Sequence, residues 1–189
     1  MIEVEIRTKI SNILPIKRRL KKLKIRYLKS FHQIDRIFGH KKFLNEKNII
    51  VDGGIVARIR TVNNRSFLEF KEIRRKSGAF EITSELADVN FGITLLKKLG
   101  YKEAFSVDKK RITYKYKSFN IDIDSVKKLG NFIEIERNIK SKKRVYQVRK
   151  ECIDLLSKIC PNYKIENKKY GDLLQEQINK RSKKLESRS

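Results

Sequence analysis

The first nine residues, Met1 to Lys9, read M-I-E-V-E-I-R-T-K and set a pattern that returns along the chain. Aliphatic and ionisable residues alternate, with Ile2, Val4 and Ile6 on one side and Glu3, Glu5, Arg7 and Lys9 on the other. A period of two is typical of a β-strand, because successive side chains point to opposite faces. The segment therefore predicts a strand with one aliphatic face and one charged face.

The length of 189 residues predicts one domain over residues 1–178, followed by a basic, disordered tail over residues 179–189. The sequence has no run of about 18 apolar residues, so we expect no transmembrane helix. The first residues lead directly into a strand and do not resemble a secretory signal. Cys152 and Cys160 are the only cysteines, and we expect them to be reduced thiols in a cytoplasmic protein.

The formal net charge of +25 predicts an anionic partner. Nucleic acid and a small polyphosphate are the two main candidates, and composition alone does not separate them. Nucleic-acid-binding surfaces usually carry Lys and Arg with few acidic neighbours. Here many bases lie on predicted strands that also carry aligned carboxylates, which favours the polyphosphate.

The alternation of the first strand recurs in later segments, and we predict strands at residues 24–38, 55–61, 66–72, 79–86, 102–117, 119–125 and 132–136. Helices are predicted at residues 11–23, 88–99, 142–160 and 170–178, the first capped by Ser11 and the second by Asp88. The apolar residues noted in the second helix are Leu95, Leu96 and Leu99, and Gly100 is expected to end it. Too many strands follow one another directly for parallel β-α-β winding, so the predicted fold class is α+β with antiparallel strands.

About eight strands can close into a barrel. If the aliphatic faces lay outward under the helices, the charged faces would line a closed tunnel. Carboxylates clustered in a low-dielectric tunnel need cations, and clustered Arg and Lys need anions. A metal-bound polyphosphate satisfies both sets, with Mg²⁺ or Mn²⁺ held by the acids and phosphate held by the bases. Charged faces that simply lie in solvent would explain each strand separately, but not the recurrence of the pattern.

The residues also carry a resemblance to a known family. Glu3-Val4-Glu5-Ile6-Arg7 resembles the E-x-E-x-K signature of the CYTH domain, within the superfamily of triphosphate tunnel metalloenzymes. The similarity continues in order with Q-x-D-x-x-F at Gln33 to Phe38, A-R-I-R around Arg58 and Arg60, F-K at Phe70-Lys71, E-I-T-S-E at Glu81 to Glu85, V-D-K-K-R at Val107 to Arg111, I-D-S-V-K-K-L-G-N-F-I-E-I-E at Ile123 to Glu136, and K-K-Y-G-D-L-L at Lys168 to Leu174.

The resemblance implies a closed eight-stranded antiparallel barrel and assigns roles to its charged residues. The implied metal ligands are Glu3, Glu5, Asp124, Glu134 and Glu136. The implied substrate-binding bases are Arg7, Lys9, Arg58, Arg60, Lys71, Lys109 and Arg111. The catalytic candidates are Glu5, Arg7 and Glu81. Strand parity adds Asp122 and Glu69. One departure is that the signature lysine is Arg7 here, which keeps the charge but not the compact ammonium.

Members of this family include triphosphatases and class IV adenylyl cyclases, and the resemblance allows either activity. The leading hypothesis is a metal-dependent hydrolase of tripolyphosphate, a nucleoside triphosphate or thiamine triphosphate. The alternative is an adenylyl cyclase that makes cyclic AMP from ATP. A third is a nucleic-acid-binding module, based on the net charge, the cluster from Lys17 to Arg26 and the basic tail, although the sorted carboxylates argue against nucleic acid as the main partner. A homodimer is plausible in this family.

Overall fold

The computed structural model describes residues 2–44, 51, 53–72 and 80–177. The predicted basic tail and parts of the two connections before the third and fifth strands lie outside the described residues. Within these ranges the strands are β1 (Ile2–Ile10), β2 (Arg26–His40), β3 (Ile55–Val62), β4 (Arg65–Glu72), β5 (Phe80–Leu86), β6 (Tyr101–Tyr116), β7 (Phe119–Val126) and β8 (Gly130–Ile139). The helices are α1 (Ile13–Lys22), α2 (Val89–Lys98), α3 (Val145–Ile159) and a C-terminal helix at residues 170–177.

The eight strands form one antiparallel sheet in the order β1-β8-β7-β6-β2-β3-β4-β5. The predicted α+β class with antiparallel strands is confirmed. In the part of the chain that the structure describes, β1 and β5 lie at the two ends of this order, so the predicted closure into a barrel is not confirmed. No helix among the described residues has the length and apolar character needed to cross a membrane.

The chain divides into two compact units, and the boundaries fall within β2, within β6 and after residue 173 in the C-terminal helix. The first unit contains residues 1–31 and 109–173. Its core is built by the aliphatic faces of β1, β7 and β8 packed against α1 and α3. Residues that are almost fully buried there include Leu20, Ile121, Ile133, Ile135 and Leu156. The predicted placement of helices against the aliphatic faces is therefore confirmed in this unit.

The helix α1 begins later than predicted. β1 continues to Ile10, Ser11 lies in a bend, and the N-cap is Asn12, whose side chain accepts a hydrogen bond from the Leu14 amide at 2.9 Å. The prediction of Ser11 as the cap was wrong because the strand takes up one more residue than its charge pattern shows.

The second unit contains residues 32–108 and the end of the chain. Its core brings Phe38, Ala57 and Ile59 of the sheet against Ile93 and Leu96 of α2. Asp88 caps α2 as predicted, accepting hydrogen bonds from the amides of Asn90 and Phe91.

Only one of the three apolar leucines noted in the second helix is buried in the structure. Leu95 and Leu99 are 38% and 55% exposed, and the buried residues are Gly92, Ile93 and Leu96. The reason is a close approach at Gly92, where a Cβ would lie 2.6 Å from Cδ2 of Leu86. The missing side chain lets this side of the helix lie against the sheet and turns the leucines away.

We expect Gly100→Ala to lower the free energy of unfolding by about 1–3 kcal/mol, the cost of a residue other than glycine in the left-handed region. Gly100 has a φ of +85°, and a Cβ there would lie 2.7 Å from Nε2 of His40. That ring is held between Phe43 and Tyr101, with ring centroids 5.6 Å and 5.1 Å away. Urea-induced unfolding measures the loss.

The matched control for Gly100→Ala is Gly39→Ala. No atom lies within 4 Å of a Cβ built on Gly39, and its φ is not positive. We expect this variant to unfold within about 0.5 kcal/mol of the parent, as surface substitutions do. Equal losses in the two variants would contradict the account.

Candidate functional site

A cluster of charged side chains lies on the face of the first unit opposite its aliphatic core. Strand register brings these residues together, since Arg7 lies opposite Glu134, Glu5 opposite Glu136, and Arg111 opposite Asp124. Asp122 in turn lies opposite Glu134 on β8. We call Glu5, Arg7, Lys109, Arg111, Asp122, Asp124, Glu134 and Glu136 the first charged cluster.

Arg7 links two carboxylates and the segment that precedes the C-terminal helix. Its Nε donates to Oε1 of Glu134 and its Nη2 to Oε1 of Glu5, each at 2.5 Å, and its Nη1 donates to the Lys168 carbonyl at 2.8 Å. Only 9% of the side chain is exposed. Burial disfavours the charged guanidinium and tends to lower the pKa of Arg7, but the negative charges of Glu134 and Glu5 have the larger effect, so that the pKa is raised. The guanidinium therefore stays charged and holds both glutamates in place.

Arg111 is surrounded by three carboxylates. It donates to both oxygens of Asp124 at 2.6 and 2.5 Å, pairs with Asp122 at 2.8 Å, and also donates to Glu134. Lys109 adds a further bond to Asp124 at 3.2 Å. Burial would raise the pKa of Asp124, but the bonds from Arg111 and the charge of Lys109 lower it. Asp124 is thus an ionised carboxylate with no solvent exposure.

Tyr170 completes the surroundings of Arg7 and Asp124. Its hydroxyl donates to Oδ2 of Asp124 at 3.0 Å, and the Arg7 guanidinium carbon lies 4.2 Å from the ring centroid. Its ring also meets Phe132 edge to face at 5.0 Å. Sequence reasoning gave this tyrosine no role, although it lies in the K-K-Y-G-D-L-L motif. The signal that could have identified it is that motif, since nothing local to residue 170 indicates contact with β1.

The segment before Tyr170 is attached to β1 by backbone contacts. The Glu166 amide donates to the Arg7 carbonyl at 2.8 Å, and the Thr8 hydroxyl donates to the Lys164 carbonyl at 2.7 Å. Thr8 and Ile165 also form an antiparallel bridge. These contacts position Arg7 from its backbone as well as from its guanidinium.

The carboxylates of β1, β7 and β8 repel one another. Burial raises the pKa of Glu5 to about 7, and the charges of Glu134, Glu3 and Glu136 add to the rise while Arg7 opposes it. Burial likewise raises the pKa of Asp122 to about 6, against the opposing effects of Arg111 and Thr113. Such destabilised carboxylates are what a bound cation would relieve.

The carboxylate oxygens on β1, β7 and β8 are chemically suited to a hard divalent cation, because Mg²⁺ and Mn²⁺ prefer oxygen ligands of this kind. Glu5 and Glu136 are register partners, and Glu3 and Glu134 act on Glu5 electrostatically. Within the described ranges, however, no three His, Cys, Asp or Glu side chains come together in an arrangement that could hold a metal ion. Glu134 and Asp124 are instead held by Arg7, Arg111 and Lys109. The five metal ligands therefore remain a prediction.

Two residues of the predicted site stand apart from this buried cluster. Glu3 and Lys9 belong to the same face of β1, but both are exposed. The Lys9 ammonium lies 5.9 Å from the ring centroid of Phe132.

The second unit has a charged cluster of its own. Arg58 donates to Glu69 and, at 3.2 Å, to Oε1 of Glu81, whose other oxygen lies 3.6 Å from the Lys71 ammonium. Arg60 donates to Oδ1 of Asp35 at 2.8 Å. We call Asp35, Arg58, Arg60, Glu69, Lys71 and Glu81 the second charged cluster.

Asp35 is the residue of the second cluster that sequence reasoning missed. Its side chain is 8% exposed and receives bonds from Arg60 and from Gln33. The alternation around it is broken, because Arg36 lies on the opposite face, pairs with Glu103 and interrupts the apolar positions. Only the Q-x-D motif could have identified it.

Three comparisons place the chain among known proteins. The CYTH domain family model matches residues 1–164. A Methanocaldococcus jannaschii protein named as a candidate adenylate cyclase is 31% identical over 160 residues, covering 82% of this chain and 88% of that protein. The PH1819 protein of Pyrococcus horikoshii OT3 is 26% identical with a TM-score of 0.74, covering 93% of this chain and 99% of that one.

One further solved structure is similar to this chain in fold but has low sequence identity, so the similarity concerns the fold alone. It is a candidate adenylyl cyclase from Hippeastrum, described as having a dominant triphosphatase activity. Its TM-score is 0.65 at 16% identity, and the match covers 93% of this chain and 96% of that one.

We expect Asp35→Asn to lower the free energy of unfolding at pH 7 by about 2 kcal/mol, because Arg60 loses its charge-assisted bonds to a buried carboxylate and keeps its contact with Glu69 at 3.3 Å. Burial would raise the pKa of Asp35, but the bond and charge of Arg60, with Arg58, lower it. A lowered pKa means stabilisation above the unfolded value of about 3.9 and its loss as the pH falls through the folded value. The difference from the parent should therefore shrink below about pH 4 in urea unfolding.

The control for Asp35→Asn is Glu85→Gln. Arg65 and Glu85 form a two-bond pair as well, but their side chains are 68% and 55% exposed. Solvent screens such a pair, so we expect little change in stability at either pH. A pH-independent loss in Asp35→Asn would contradict the assignment of the effect to its charge.

Proposed function

The chain belongs to the CYTH family, and on that premise we propose that it is a divalent-metal-dependent hydrolase of triphosphates. The observation that supports this most directly is the first charged cluster, where three bases and five carboxylates share one buried sheet face. A triphosphate bound to Mg²⁺ or Mn²⁺ presents both signs of charge to such a surface. The substrate class is tripolyphosphate, a nucleoside triphosphate or thiamine triphosphate.

The bases of the first cluster would bind phosphate oxygens. Arg7 and Arg111 carry planar guanidinium groups that suit phosphate, and Lys109 adds a point charge beside them. Their ion pairs with Glu134 and Asp124 hold them ready in one orientation, so little side-chain entropy is left to lose on binding.

The carboxylates Glu3, Glu5, Asp124, Glu134 and Glu136 are the proposed metal ligands. When bound, the metal would supply charge neutralisation and Lewis-acid activation of the phosphoryl group. Glu5 has the strongest electrostatic reason to take part, since burial and three neighbouring carboxylates raise its pKa to about 7. Glu5 and Arg7 are the proposed catalytic residues on β1, and Glu81 is the third.

The second charged cluster supplies the remaining proposed substrate contacts, Arg58, Arg60 and Lys71. Between 21% and 36% of each side chain is exposed, and each is paired with a carboxylate. Charge-assisted bonds of this kind can be exchanged for bonds to phosphate. Lys9, exposed on β1, is the last proposed substrate-binding base.

An adenylyl cyclase is the second candidate. The archaeal relative named as a candidate adenylate cyclase, 31% identical, favours it. Both reactions use the same binding of a triphosphate, so the charged clusters do not separate them. A cyclase must also hold adenine and ribose, and the sequence shows no nucleoside-recognition motif, which favours hydrolysis.

Product analysis tests the proposal. Purified protein with Mg²⁺ or Mn²⁺ is given tripolyphosphate, ATP and thiamine triphosphate in parallel, and orthophosphate, pyrophosphate and cyclic AMP are measured. Orthophosphate release supports the hydrolase. Cyclic AMP with pyrophosphate from ATP would replace it by the cyclase, and no product from any substrate would overturn both.

We expect Glu5→Gln and Glu136→Gln to lower kcat by about 100-fold or more, since even changes around metal ligands cost 10–100-fold. Each substitution keeps the shape of the side chain and removes one charge. The control is Glu103→Gln, an exposed glutamate that pairs with Arg36. Near-normal turnover in both test variants would contradict the metal assignment.

We expect Arg58→Ala to raise the KM for the triphosphate by about tenfold or more, the effect of losing a charge-assisted hydrogen bond. Lys21→Ala, which removes one exposed charge from α1, should leave KM within about twofold because solvent screens distant charges. Steady-state kinetics at 150 mM salt make the comparison. Equal changes in the two variants would point to diffuse electrostatics.

A further inference from the structure

The segment from Ser11 to Phe31 has no acidic residue. It carries eight bases, and every one of them is exposed: Lys17, Arg18, Arg19, Lys21, Lys22, Lys24, Arg26 and Lys29. We call these eight residues the basic α1–β2 surface. All of it belongs to the first unit.

This surface differs from both charged clusters because carboxylate partners are missing among the described residues. The cluster bases are paired with carboxylates, whereas among the residues that the structure describes none of these eight forms an ion pair. Arg19 donates to a neutral group, the Ile159 carbonyl, at 3.2 Å. The surface therefore presents uncompensated positive charge to solvent.

The fold determines the shape of this surface. Ile16 and Leu20 point into the core of the first unit, so the four bases opposite them face outward: Lys17, Arg18, Lys21 and Lys22. The following strand is exposed over Arg26–Ser30, and β3 pairs with β2 only from Gln33 onward. Within that stretch Tyr27 is 55% exposed and meets Tyr114 edge to face at 5.8 Å.

We propose that the basic α1–β2 surface binds single-stranded nucleic acid. The helix alone is about 15 Å long, at 1.5 Å per residue, so its Lys and Arg side chains extend over several phosphates of a nucleic-acid strand. Tyr27 adds an exposed ring on which a nucleobase can stack. Proteins that bind single strands usually combine such aromatic rings with a basic groove. This inference does not depend on the proposed hydrolase activity.

Two other anionic partners fit the surface less well. A lipid bilayer would require a continuous apolar helix face to insert, but Ile16 and Leu20 are 4% and 0% exposed. Leu14 and Leu23 are 59% and 39% exposed, but they lie about two and a half turns apart and therefore on opposite sides of the helix. A chain of inorganic phosphate has no nucleobase that could stack on Tyr27. Both are included as outcomes of the test.

The first experiment compares two fourfold variants of the full chain. Lys17, Arg18, Lys21 and Lys22 are changed to Gln in one, and the equally exposed Lys97, Lys98, Lys102 and Lys110 in the other. Fluorescence anisotropy with a labelled single-stranded 20-mer is measured between 50 and 200 mM salt. Circular dichroism and the midpoint of urea-induced unfolding show whether both variants remain folded.

We expect the α1 variant to bind the oligonucleotide at least about tenfold more weakly. The slope of log Kobs against log salt concentration should be smaller in magnitude by about 2–3, since each of the four lost phosphate contacts contributes roughly 0.7 to it. The control variant should lose less than about threefold, since only general charge attraction changes. Equal losses in the two variants, or no loss in either, would overturn the proposal.

The second experiment separates nucleic acid from other polyanions. We expect Tyr27→Ala to weaken oligonucleotide binding by about fivefold or more, as loss of one stacked base predicts, and Tyr27→Phe to retain it. Binding to long-chain polyphosphate should be unchanged in both. Equal loss on polyphosphate, or tighter binding of the parent to duplex or to phosphatidylserine vesicles than to the single strand, would overturn the single-strand assignment.

Discussion

Pairing of buried charge is the constraint on which both halves of this structure depend. An ionised group out of water is destabilising unless an opposite charge or several hydrogen bonds compensate it. Among the described residues, every buried side-chain nitrogen or oxygen has a hydrogen-bond partner. Arg7 meets this requirement through Glu5 and Glu134, and Arg111 through Asp122, Asp124 and Glu134. The sheet can therefore carry acids and bases on one buried face only because register places them opposite each other.

The two clusters meet this constraint to different degrees. In the first, the side chains of Arg7, Lys109 and Arg111 are 7–16% exposed, and their carboxylates leave little room for exchange with solvent. In the second, Arg58 and Arg60 are 21% and 27% exposed. The first cluster is therefore the more rigid of the two, with orientations determined before any ligand arrives, whereas the second can change partners at lower cost.

The alternation of residues in the sequence was enough to predict the faces of the charged residues on β1, β7 and β8, but not that of Asp35, where the alternation is broken. Asp122 and Asp124 lie opposite the buried Ile121 and Ile123 because a strand leaves no other choice once one face packs on helices. Parity carries no information about distant partners, so the contact of Tyr170 with Asp124, 46 positions away, could not be predicted. Which leucines of α2 are exposed is decided by the close approach at Gly92, which the sequence pattern does not show. Closure of the sheet stays a prediction, since alternation describes faces and not edges.

The attachment of β1 has a consequence for the order in which the molecule forms. Ile2 pairs with Ile139, and Arg7 donates to the carbonyl of Lys168, 161 positions along the chain, so these partners are synthesised long after β1 itself. Residues 32–108 of the second unit, by contrast, are continuous in sequence. Contacts between positions that are distant in sequence form slowly, because closing a long loop lowers the chain entropy before any favourable contact compensates for this loss. We therefore expect Glu5 and Arg7 to stay hydrated while residues 32–108 acquire structure, and the first charged cluster to form after them.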